Sequence, residues 1–100
     1  MSTRWYILDK DHNVIPCNDL RTWAEWSDID DNRRVALTDT PRGRVSTVFL
    51  GIDHAFGRNA GPLFFETMVF VDDDEDGCWR CATWDEAVAQ HAKVVSGLSK

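Results

Sequence analysis

The fold turns on two stretches, V-S-T-V-F-L-G-I at residues 45–52 and L-F-F-E-T-M-V-F-V at residues 63–71. Both are rich in β-branched and aromatic residues, and their apolar side chains fall on both alternating faces. That is the pattern of strands covered on two sides, so these are expected to be the central strands of a sheet. Residues 33–39 precede the first of them across T-P-R-G, whose proline and glycine suit a hairpin turn. Downstream, Asp76-Gly77 is a tight-turn signal before a short strand at residues 78–82.

The two ends of the chain supply the helices. Residues 4–9 (R-W-Y-I-L-D) and 14–17 read as an N-terminal hairpin around a polar turn, followed by a helix from residue 19 to about 30. Asn18 and Asp19 offer N-caps for it, and the acidic stretch 28–32 ends it. A second helix spans residues 83–98, opened by T-W-D-E, in which Thr83 and Glu86 can form a capping box. T-W-A-E at residues 22–25 repeats that pattern, but four matching positions are better read as coincidence than as duplication. The expectation is one α+β domain over residues 1–100, with a mainly antiparallel sheet of about five to seven strands and two helices, in the order β-β-α-β-β-β-β-α.

Composition narrows the function classes. One hundred residues, 43% hydrophobic and 28% charged, suffice for one core without disulfides or metal. No apolar run approaches the roughly 20 residues of a membrane span, and no leader stands at the start, so a cytoplasmic location and no membrane partner are expected. Three cysteines, Cys17, Cys78 and Cys81, are an odd number that fits free thiols in a reducing compartment. The net charge of -6 disfavours direct nucleic-acid binding. Residues 51–100 carry nine acidic and four basic groups, against eight and seven in residues 1–50, so the second half presents an acidic face suited to a basic partner surface.

Four side chains could carry chemistry. Asp53 and His54 open a ten-residue connection, 53–62, longer than a hairpin needs. Glu66 is expected on a strand face with Phe64, Met68 and Phe70, where a carboxylate requires a partner. His91 lies on the apolar stripe of the last helix with Trp84, Ala87, Val88, Val95 and Leu98, facing the sheet. Asp53, His54, Glu66 and His91 together are the residue types of a metal or acid–base site. The simpler reading is a buried network in which Glu66 and His91 satisfy each other.

Other patterns are weaker. D-D-D-E-D-G at residues 72–77 has carboxylates at calcium-loop spacing, but Thr83 stands where the bidentate glutamate belongs, so a solvated acidic tip is expected. C-W-R-C at residues 78–81 has C-x-x-C spacing without the remaining zinc ligands or a helix start after its first cysteine. No metal and no cofactor are therefore expected. Five tryptophans are many for this length, and one left exposed would be an anchor for a partner. Phosphate-binding glycine loops, G-x-S-x-G, H-E-x-x-H and basic aromatic stripes are absent, which leans away from an enzyme.

V-S-T-V-F-L-G-I-D-H-A-F-G (45–57), G-P-L-F-F-E-T-M-V-F (61–70) and T-W-D-E-A-V-A-Q-H (83–91) resemble a widespread family of small uncharacterised phage and prophage proteins. The resemblance covers roughly residues 1 to 95 and places Asp53, His54, Gly57, Glu66, Thr67, Met68 and His91 at the family's recurring positions. The acidic run 72–76 and the C-W-R-C segment depart from it. The resemblance implies an accessory protein that binds a host bacterial protein, for instance an anti-CRISPR-like inhibitor of a defence complex. The expected contact is Asp72, Asp73, Asp74, Glu75, Asp76 and Trp79. Two alternatives stand beside it: a small metal-dependent or acid–base enzyme built on Asp53, His54, Glu66 and His91, and a binder of a small signalling molecule using the 53–62 loop.

Overall fold

The computed structural model describes residues 5–52, 63–72 and 74–98. The chain forms an α+β domain in which a two-stranded hairpin and a four-stranded antiparallel sheet share one core. β1 (Trp5–Leu8) and β2 (Val14–Cys17) form the hairpin, followed by α1 (Leu20–Ser27) and the single turn α2 (Asp30–Arg33). β3 (Arg34–Thr40), β4 (Gly43–Phe49), β5 (Phe65–Val71) and β6 (Asp74–Cys81) make a meander in sequence order, and α3 (Trp84–Leu98) closes the chain. The strand and helix order follows the sequence pattern, with α2 as an additional turn inside the acidic stretch.

Local chemistry explains the boundaries. Asp19 caps α1, its carboxylate accepting from the Arg21 amide at 3.1 Å and from the Thr22 hydroxyl at 2.7 Å. Thr22 is thus inside the helix, and only Thr83 uses its T-W-x-E as a start. There the Thr83 hydroxyl accepts from the Glu86 amide and the Glu86 carboxylate accepts from the Thr83 amide, both at 3.2 Å. The Asp76-Gly77 turn is not formed. The chain reverses at Asp72, which takes φ 52, and Asp74–Asp76 already belong to β6. A bulge between Val69 and Phe70 absorbs Asp76, and Gly77 stays in the ladder opposite Val69.

β4 and β5 are the central strands, as their apolar content requires. Val45, Thr47 and Phe49 of β4 pair with Val69, Thr67 and Phe65 of β5, and all six are buried on the face beneath α3. At one end of this face Phe49 and Phe65 meet at 5.3 Å, Trp26 of α1 sits edge-on to Phe49, and Trp84 of α3 sits edge-on to Phe65. Each fully buried phenylalanine contributes roughly 1.5–3 kcal/mol. Leu8 and Tyr6 of β1 join the same cluster, so the hairpin closes the core instead of extending the sheet. The junction is Gly51: its carbonyl accepts from the Tyr6 amide at 2.8 Å, and the Trp23 indole lies where a Cβ would stand, 2.9 Å away. With φ at 79 as well, only glycine fits there.

The opposite face differs from the expectation of two-sided cover. Leu37, Ser46, Val48, Met68 and Phe70 point away from α3, and among the described residues no helix or strand lies over them. Leu37 is 45% exposed there, and Ser46, Val48, Met68 and Phe70 are half-buried. No described helix is long and apolar enough to cross a membrane.

Candidate functional site

His91 and Glu66 do not meet. β5 alternates, so Thr67 points to the α3 face while Glu66 points to the open one. Glu66 pairs instead with Arg80, its direct neighbour on β6, at 3.0 Å. The pair is partly shielded, the Glu66 side chain keeping 13% of its exposure. Phe64, expected on the same face as Glu66, lies before β5 and packs in the core against Tyr6 at 4.6 Å. Asp53, His54 and Gly57, with the rest of the 53–62 connection, lie outside the described residues.

His91 finds threonines. It reaches the sheet as its helical spacing predicts and is 6% exposed. Its Nδ1 is 2.7 Å from the Thr47 hydroxyl and its Nε2 is 2.8 Å from the Thr38 hydroxyl. Thr47 in turn lies 2.8 Å from Thr67, giving a chain Thr38–His91–Thr47–Thr67 across β3, β4 and β5. Hydroxyls both donate and accept, so either neutral imidazole tautomer is satisfied. Burial pushes the His91 pKa below its ordinary value, which keeps the ring neutral near pH 7. With both ring nitrogens engaged, His91 is a structural pin between helix and sheet. Val88, expected on the same stripe, is instead 47% exposed.

The cysteines separate as well. Cys78 is level with Met68 on the open face and Cys81 with Phe65 on the core face, so C-x-x-C on a strand divides between two sides. Burial, and then the Glu66 carboxylate, raise the Cys78 pKa. Burial, and then Glu86, push Cys81 up to about 11. Neither is an activated thiolate. Among the described residues no three His, Cys, Asp or Glu side chains gather as metal ligands. Of the calcium-like spacing, Asp72 lies in the turn and Asp74 and Asp76 lie along β6.

What the β5–β6 hairpin does gather is charge beside an aromatic. Asp72, Asp74, Glu75 and Asp76 are exposed at its end, and Asp73 lies outside the described residues. Three residues further along, Trp79 is 44% exposed and its ring lies over Gly77, where a Cβ would stand 2.7 Å from the indole. A groove of about 370 Å³ runs from this ring along α3, between Val69, Val94 and Leu98, with Asp76 and Lys93 among its polar lining. The other four tryptophans are half-buried in or beside the core.

One arrangement had no sequence signal. His12, in the β1–β2 turn with φ 65, stacks flat on Trp84 with ring centroids 3.7 Å apart. The stack divides two polar clefts of about 430 and 370 Å³. The partners are far apart in sequence, and no spacing rule links a turn histidine to a helix start. No protein-family model, curated protein or solved structure matches the chain.

Proposed function

We propose that the chain acts by stoichiometric binding to a host bacterial protein, as a phage or prophage accessory factor of the anti-defence type, using the β5–β6 hairpin. The observation that carries this reading is Trp79, 44% exposed on the strand whose other end bears Asp74, Glu75 and Asp76. Acidic groups at a projecting tip attract a basic surface, such as one that holds nucleic acid, and raise the encounter rate. A half-exposed indole beside an apolar groove then supplies the contact that slows dissociation. The acid–base alternative draws no support from the described residues, because Glu66 is committed to Arg80 and His91 to threonines.

The test is capture of host proteins from bacterial lysate by the tagged full chain, at moderate and high salt, with metal analysis of the same sample. A stoichiometric partner is expected, released by salt and lost when Asp72, Asp74 and Asp76 are changed together to Lys. Trp79→Ala is expected to weaken it roughly 30-fold, about 2 kcal/mol. Capture that survives the charge reversal sinks the reading. So does near-equimolar metal that disappears in His54→Ala or His91→Ala.

A further inference from the structure

The face of the four-stranded sheet that α3 leaves open carries three rows of side chains. The central row, Leu37, Ser46, Met68 and Cys78, crosses all four strands and is uncharged. On one side of it lie Val48, Glu66 and Arg80, and on the other Arg44, Phe70 and Glu75. Sequences that leave a sheet face to water place polar residues on it, whereas Val48, Met68 and Phe70 are apolar and Leu37 is 45% exposed.

We propose that a second copy of this chain covers this face, in a two-fold sheet-on-sheet dimer whose axis runs along the Leu37–Ser46–Met68–Cys78 row. Under that operation each residue of the central row meets its own counterpart, as an isologous interface requires. The two flanking rows exchange, so Arg80 of each copy stands over Glu75 of the other and Val48 stands over the aliphatic stem of Arg44. Arg80, held by Glu66 at 3.0 Å within its own chain, has donors left for a second carboxylate. The other two-fold choice, an axis along the strands, sets Asp39 of one copy against Glu75 of the other, two like charges. Charge thus favours the first of these two arrangements over the second.

Area places the contact among weak interfaces. Four strands about 4.8 Å apart and three rows about 6.8 Å apart span roughly 20 by 20 Å, so burial is on the order of 400–500 Å² per copy. The total of about 800–1,000 Å² lies below the range of stable interfaces, so the dimer is weak and reversible. Packed sheets lie roughly 10 Å apart, which brings Cys78 and its counterpart within reach of a short bis-maleimide. Cys81, on the core face, is out of reach of its own copy.

The experiment is sedimentation of the full chain from 1 μM to about 1 mM, with bis-maleimide crosslinking in parallel. Reversible dimers are expected, crosslinked through Cys78, blocked by Cys78→Ser and preserved in Cys81→Ser. Met68→Glu is expected to give a monomer. Because Met68→Glu can also perturb the fold, Glu75→Lys provides the second variant. Glu75 is exposed, and a lysine there faces Arg80 of the other copy, so dimerisation should weaken at least tenfold with an unchanged circular dichroism spectrum. A chain monomeric throughout the range overturns the proposal, as does a dimer that ignores Glu75→Lys or crosslinks through Cys81.

Discussion

Replacing Thr47 with valine keeps shape and volume and removes one hydroxyl from the middle of the Thr38–His91–Thr47–Thr67 chain. Two contacts go together, the 2.7 Å approach to His91 Nδ1 and the 2.8 Å approach to Thr67 Oγ1. Thr47 and Thr67 are fully buried and His91 nearly so, which leaves no water to take over. An orphaned buried polar group costs about 1–3 kcal/mol, and the added methyl returns somewhat under 1 kcal/mol. With two groups orphaned, His91 Nδ1 and Thr67 Oγ1, the net loss should be about 1–5 kcal/mol, a large fraction of the ~5–15 kcal/mol typical of a domain. Urea unfolding should show a lower midpoint with an unchanged slope. The triple change Thr47→Val, Thr67→Val, His91→Leu removes every buried partner at once and should return to within about 1 kcal/mol of the parent. Thr38, only half-buried, then turns to solvent. A Thr47→Val protein within about 0.5 kcal/mol of the parent, or a triple variant no better than the single one, would refute the chain as a buried hydrogen-bond network.

The depressed His91 pKa makes stability depend on pH with a definite sign. The unfolded chain, with an ordinary value of 6.5, binds the proton more readily than the folded one, so the contribution is complete above 6.5 and is lost as pH falls toward the folded value. Asp9, Asp19 and Asp39 are held below 3.8 mainly by hydrogen bonds and act only in a lower window. Urea midpoints from pH 7.5 to 5 should therefore fall in the parent and fall less in His91→Gln. Gly77→Val drives a side chain into the Trp79 ring and should shift the Trp79 indole NH resonance while costing only about 1 kcal/mol, since that ring is half outside already. Glu86→Ala opens the capping box and should cost about 1 kcal/mol by thermal unfolding, with fraying confined to the first turn of α3 in amide exchange.

The elements that were legible in the sequence are those fixed by local pattern. α3 announces itself by its capping box and apolar stripe, and β4 and β5 by content that only central strands carry. The turn at Asp72 was not legible, because Asp-Gly is a strong hairpin signal. A bulge at Asp76 and the Trp79 ring over Gly77 kept that pair in the strand. The bulge is set by the pairing with β5, across the ladder and not along the sequence. The pairing of Glu66 with Arg80 and of His91 with Thr47 was equally hidden: each partner lies across a strand register, and a shift of one residue would exchange the faces.

Register also explains why the candidate site divides as it does. Glu66 and Thr67 are adjacent on β5, so one must face α3 and the other away. A threonine beneath the helix can satisfy a neutral histidine without bringing a charge into the core, whereas Glu66 there would have required His91 to be protonated or itself to be neutral. Placing Glu66 outward, beside Arg80, keeps the carboxylate paired near solvent and leaves the interior with hydroxyls and one uncharged imidazole. The same alternation that removes an acid–base pair from the core therefore puts an ion pair, an exposed thiol and four apolar side chains, Leu37, Val48, Met68 and Phe70, on the open face. Apolar side chains beside a paired charge are what the second copy proposed for this face would meet.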